Sequence, residues 1–199
     1  MDTAVALVQA YLQVNGYFTV CEYPILKVDH GEVRVATDID MLAFRFPGAG
    51  REMQTRGGTV SGVVAHEPDS ALGCTPGQAD MIVGEVKEGR ARFNEPIRDP
   101  KVLGAALARF GCCSPDHAGD MVDRLLKHGR VHTPHGHDVR MIAFGGRGAP
   151  SGEGWLRIPL EHIIRFLRAY LDENWAQLHK AQIKAPALDL LALLRKCGG

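Results

Sequence analysis

Residues 80–87 read Asp-Met-Ile-Val-Gly-Glu-Val-Lys, a short apolar run closed by charge at both ends. It is too short for a buried helix. Apolar side chains occupy both of its alternating positions, as in a strand buried on both faces. Such a strand needs neighbours beside it and a layer over each face, so the rest of the chain has to supply a sheet and helices.

The flanking sequence supplies both. Residues 3–14 predict a helix, with Thr3 as the expected N-cap and Val5, Val8 and Leu12 on one face with Ala4, Leu7 and Tyr11. Asn15-Gly16 stops it, because both residues tolerate the left-handed conformation. Tyr17 to Val28 and Val33 to Phe46 predict two strands joined by the turn Asp29-His30-Gly31, hence a hairpin. Pro47 to Ala79 is a long Gly- and Pro-punctuated connection, with a short strand expected over Thr59 to Ala65. After the 80–87 strand come helices over Pro100 to Phe110 and over Pro115 to Lys127, the second capped by Ser114. Strands follow over Val139 to Phe144 and Trp155 to Ile158, then a long helix from Pro159 to His179 and a short one from Ala187 to Leu194. The expectation is one mixed α/β domain spanning residues 1–199, a hairpin-rich sheet flanked by helices.

Composition narrows the function classes. The chain has 23 basic and 23 acidic residues, so it does not coat nucleic acid by bulk charge; an enzyme with a local basic surface is still allowed. No apolar run approaches the roughly 20 residues of a bilayer span, and Met1-Asp2-Thr3 lacks a basic leader, which predicts a cytoplasmic protein. Cys21, Cys74, Cys112, Cys113 and Cys197 form no Cys-x-x-Cys pair, so reduced, mostly buried thiols are expected. No nucleophile elbow, P-loop or dinucleotide fingerprint is present.

Two segments place acid inside apolar strands: Thr37-Asp38-Ile39-Asp40-Met41-Leu42-Ala43-Phe44 and Ile82-Val83-Gly84-Glu85-Val86-Lys87. A carboxylate in a buried strand is costly unless it is paired or bound to metal. Alternation turns Glu85 and Lys87 to one face and Val86 into the core. If the two strands pair, Asp40, Glu85 and the Val86 carbonyl offer oxygens to a hard cation such as Mg²⁺ or Mn²⁺. Lys87 would then sit beside a bound water, an arrangement suited to phosphodiester hydrolysis. The bland alternative is a surface Glu85–Lys87 pair at a strand end, with Asp40 at an edge. Acidic-x-Lys also occurs at Asp99-Pro100-Lys101, but a proline in the middle excludes a core strand there.

These motifs, together with Tyr11-Leu12 and Asn15-Gly16-Tyr17-Phe18, resemble the PD-(D/E)XK superfamily of restriction endonucleases and archaeal Holliday-junction resolvases. The likeness covers about the first half of the chain. It implies a restriction-endonuclease-like core, a mixed β-sheet flanked by helices, with Asp40 as the metal-binding aspartate, Glu85 as the second acid and Lys87 as the motif lysine. It also implies a Mg²⁺-dependent endonuclease, DNA as the partner and, as in many such nucleases, a homodimer. There are departures. Glu85 follows Asp40 by 45 positions, farther than is usual in the superfamily, and Pro68-Asp69 lies 16 positions before Glu85, making Asp69 an alternative aspartate. The glutamate that some members carry on the first helix is missing; Gln9 and Gln13 are the nearest polar residues, and Glu22 on the first strand is a candidate substitute, although it is expected to be exposed. The competing expectation is therefore a catalytically weak or inactive nuclease-fold module for binding or assembly.

Asp38 is a supporting candidate on the Asp40 strand; Asp80, a further supporting candidate, is expected to make a turn or capping bond. Arg90, Arg92, Arg98 and Lys101 are candidate phosphate contacts, although Glu88, Glu95 and Asp99 interleave with them. His132, His135 and His137 beside Asp138 match no common zinc spacing and read as a solvated turn. Gly145-Gly146-Arg147-Gly148 reads as a loop.

Overall fold

The computed structural model describes residues 2–49, 67–147, 154–179 and 183–198. Helix α1 (Thr3–Val14) leads into strands β1 (Phe18–Asp29) and β2 (Glu32–Arg45). Strand β3 (Ala79–Arg90) is followed by α2 (Pro100–Arg109), α3 (Ala118–His128), β4 (Arg130–His132) and β5 (His137–Arg147). The chain finishes with β6 (Leu156–Pro159), α4 (Leu160–Glu173), α5 (Trp175–Leu178) and α6 (Pro186–Lys196).

The six strands form one mixed sheet in the order β1-β2-β3-β5-β4, with β6 also on β5. β1 and β2 form an antiparallel hairpin, and β2 runs antiparallel to β3. β5 is parallel to β3, reached through α2 and α3. Each face carries its own apolar cluster. Met41, Ala43, Ile82, Val86, Ile142 and Phe144 pack under α1, α4 and α6. Leu42, Met81, Val83, Met141 and Ala143 pack under α2 and α3. The sequence is thus an α/β chain with an open mixed sheet flanked by helices, as its patterning predicts.

The details correct several expectations. Asp2, not Thr3, caps α1: its side chain accepts from the Ala4 amide. Ser114 makes no cap bond; its hydroxyl meets His117 Nδ1 instead, and a 3₁₀ turn over Pro115–His117 precedes α3. The helix expected over 159–179 breaks at Asn174, whose side-chain amide donates to the Tyr170 carbonyl and so competes with the helical ladder. β5 runs on through Gly145 and Gly146 rather than ending before them. Those glycines let the chain of β3 cross closely: a Cβ on Gly146 would fall 2.1 Å from the Glu88 carbonyl oxygen, and one on Gly145 2.4 Å from the Ala91 nitrogen. The hairpin turn is as expected. His30 (φ 50°) and Gly31 (φ 84°) are both left-handed, as a two-residue type I′ turn requires. The strand expected over Thr59 to Ala65 lies outside the described residues.

Candidate active site

The β2–β3 ladder runs from Arg45↔Asp80 to Met41↔Gly84 and stops there. Gly84 marks the last close approach, since a Cβ on it would meet Met41 Cβ at 3.0 Å and Phe144 Cε2 at 3.1 Å. Beyond it, the Asp40 side chain replaces the ladder: its Oδ2 accepts from the Val86 amide at 2.8 Å. A residue in an extended strand sends its N–H and C=O to the same side. The Val86 carbonyl therefore faces β2 as well, beside Asp40.

Glu85 and Lys87 alternate with Val86, which is buried in the opposite cluster. Glu85 is 0% exposed, and no hydrogen-bond donor other than the Lys87 ammonium faces its carboxylate. The Lys87 ammonium lies close against Glu85 Oε1 as an ion pair and sits 3.6 Å from Asp40 Oδ2. Burial pushes the Glu85 carboxyl above the usual carboxylate range; Lys87 opposes that rise and Asp40 adds to it. Burial alone would lower Lys87, but its contacts with Glu85 and Asp40 win and raise it, so it stays an ammonium. Two carboxylates, a strand carbonyl and a cation thus converge where β2 and β3 part.

This donor set fits a divalent cation. Glu85 Oε2 is a buried acceptor with no donor, which a metal would satisfy. Among the described residues no group of three or more His, Cys, Asp or Glu side chains is gathered for a metal. Mg²⁺ does not need one, because it is commonly held by one or two carboxylates with waters and substrate phosphate.

The other candidates fall elsewhere. Asp69 is tied to the helices: its Oδ2 accepts from Tyr11 Oη at 2.8 Å and pairs with His162 Nε2 at 2.6 Å. Its Oδ1 caps the turn at Ala71, and its amide donates to Asn15 Oδ1. These contacts hold the Asp69 carboxyl below its usual range against the opposing effect of burial, and they account for Pro68-Asp69 without a metal. Asp38 is exposed. Gln9 and Gln13 both donate to Thr19 Oγ1, so α1 brings no acid to the site. Arg90, Arg92, Arg98 and Lys101 are exposed, with Arg98 stacked 4.9 Å over the Trp155 ring. His132 and His135 are exposed around the turn at 134–136, as expected, but His132 has a partner. His132 Nδ1 meets Asp138 Oδ1 at 2.9 Å, and Asp138 also accepts from Arg130 and Thr75.

Asp80 departs most from expectation. It makes no turn bond; it is buried in a paired fork with Arg140, Nε to Oδ1 and Nη2 to Oδ2 both at 2.6 Å. Tyr17 Oη donates to the same carboxylate at 2.6 Å, and Arg140 Nη1 also donates to the Leu72 carbonyl. Arg140 was legible in principle, since Val-Arg-Met-Ile-Ala-Phe carries a charge in an apolar strand, the same signal that marks Asp40. A cleft of about 440 Å³ opens at this end of the sheet, lined by Arg45, Glu67, Asp69, Cys74 and their neighbours. Asp40, Glu85 and Lys87 do not line it.

Among the described residues no helix is long and apolar enough to cross a membrane. No protein-family model, no curated protein and no solved structure matches the chain.

Proposed function

We propose that this chain is a metal-dependent nuclease of restriction-endonuclease-like design that hydrolyses phosphodiester bonds of DNA. The observation that carries the reading is the buried Glu85 carboxylate. Its Oε1 meets only the Lys87 ammonium, its Oε2 has no donor, and a second carboxylate stands close by. A purely structural carboxylate would have both oxygens satisfied. Mixed-sheet topology with helices on both faces is the architecture the sequence resemblance calls for.

Asp40, Glu85 and the Val86 carbonyl would hold Mg²⁺ or Mn²⁺. Bound there, the cation supplies charge neutralisation for the phosphate and a water of lowered pKa. Asp40 is oriented for this by the Val86 amide, which fixes one oxygen and leaves the other open. Lys87 keeps its proton beside both carboxylates, so it can donate a hydrogen bond to the attacking water or to the phosphate oxygen where charge develops. Arg90 and Arg92, exposed and just past Lys87 in the chain, would contact the nucleic-acid backbone.

The engagement of Gln9 and Gln13 with Thr19 favours the second reading, a nuclease-fold binding or assembly module, because no helix acid joins the site. One experiment separates the two. Wild type and Lys87→Ala are incubated with plasmid and single-stranded DNA in Mg²⁺, Mn²⁺ or EDTA, and Mn²⁺ binding is followed by calorimetry. The nuclease reading expects cleavage that EDTA stops and that falls at least about 100-fold in the variant. Absence of both cleavage and metal binding in the wild type would leave the module.

A further inference from the structure

Among the described residues only two non-glycines have positive φ, His30 and Glu22. His30 belongs to the hairpin turn. Glu22, at φ 52°, lies in mid-strand, where no turn asks for the left-handed region. The β1–β2 register pairs Cys21 with Met41 and Tyr23 with Ile39, so Glu22 stands opposite Asp40.

The packing shows what the kink does. Residues two apart in a strand share a face. Met41, with Cys21 packed against it, belongs to the cluster under α1 and α4. Ile39 and Ile25, with Tyr23 against them, belong to the cluster under α2 and α3, and the Tyr23 ring meets Phe110 edge-on at 5.2 Å. Both strands therefore change faces between 21 and 23 and between 39 and 41: the hairpin rolls over at the pair Glu22/Asp40. Asp40 has left the pleat with it. A regular strand side chain stands perpendicular to the sheet, whereas the Asp40 carboxylate accepts from the Val86 backbone amide, which lies in the sheet plane.

We infer that Glu22 is a positioning residue for the metal site, its left-handed backbone turning the hairpin over so that the Asp40 carboxylate is aimed at Val86 and the ion beside Glu85. The inference rests on the metal reading proposed above. It is the backbone conformation that matters, so glycine and asparagine, which adopt it readily, can replace Glu22, and a β-branched residue cannot.

The test uses the full chain with Glu22→Gly, Glu22→Asn and Glu22→Val. Mn²⁺ binding is measured by calorimetry, and Val86 amide exchange by NMR without metal. Glycine and asparagine variants are expected to bind Mn²⁺ within about threefold of wild type and to keep the Val86 amide protected. The valine variant is expected to bind at least about tenfold more weakly, the scale of losing a residue that orients a metal ligand, and to lose that protection. If Glu22→Gly lost as much affinity as Glu22→Val, the side chain rather than the backbone would be at work, and the inference would fall. It would fall equally if Glu22→Val kept both affinity and protection. Should Glu22→Val not fold, loss of Val86 protection in Glu22→Gly alone would overturn it. A wild type that binds no Mn²⁺, with Val86 protection lost only in Glu22→Val, would sink the metal reading and leave the positioning role standing.

Discussion

Strand β3 carries one buried acid at its start and another near its middle, and the two are treated in opposite ways. Asp80 meets Arg140 in a paired fork, accepts from Tyr17, and sits where Arg140 is further tied to the Leu72 carbonyl. Glu85, five residues along the same strand and roughly 16 Å away, is just as buried. It has the Lys87 ammonium and no other hydrogen-bond donor. Burial of charge is common to both, so burial does not distinguish structure from function here. The distinction is satisfaction: one carboxylate has its lone pairs filled by the protein, and the other holds one oxygen open.

The largest predicted effect breaks the closed site. Arg140→Met leaves Asp80 buried without its counter-charge and should cost about 3–5 kcal/mol in urea denaturation, while Mn²⁺ affinity at Asp40 and Glu85 stays unchanged if the chain folds. Tyr17→Phe removes one hydrogen bond to the same carboxylate and should cost about 1.5–3 kcal/mol, again without touching metal binding. Equal losses of metal affinity in either variant would mean that the two sites are not independent.

The smallest stability effect sharpens the contrast, because at the open site removing charge should help. The Glu85 carboxyl is raised above its ordinary value of 4.5, chiefly by burial. Its favourable contribution is therefore complete below about pH 4.5 and is lost as pH rises through the higher folded value. Glu85→Gln should be more stable than wild type at pH 8, an advantage that vanishes by pH 4. Added Mn²⁺ should reverse the order at pH 8, stabilising wild type and leaving the variant unmoved. A Glu85→Gln protein that was less stable than wild type at pH 8 without metal would show that Glu85 is a structural ion pair like Asp80.

The same contrast explains what could be read in advance. The strand cores, the Asp-His-Gly turn and the Asp40/Glu85/Lys87 set follow from alternation, turn chemistry and the cost of acid among apolar residues, all of which are local. Asp80 is not the turn or capping residue that local pattern suggests, because its partner Arg140 lies 60 positions away. Asp40 is favoured over Asp69 by its place on a strand, but their partners are not local. Geometry puts Asp40 at the Val86 amide and Asp69 between Tyr11 and His162. Helix ends moved where side chains competed for backbone groups, as Asp2 does at Ala4 and Asn174 at Tyr170.

The sequence by itself determined most of the strands and helices, though not β4 or the break at Asn174, and also which faces are apolar and which acids are too expensive to bury idly. Those properties depend on residues one to four apart, within reach of periodicity. Only the tertiary structure decided which buried acid is neutralised and which is left open. That depends on strand register and on a left-handed residue in mid-strand, because register brings partners together across dozens of residues, and a single backbone angle at Glu22 sets where the opposite Asp40 points.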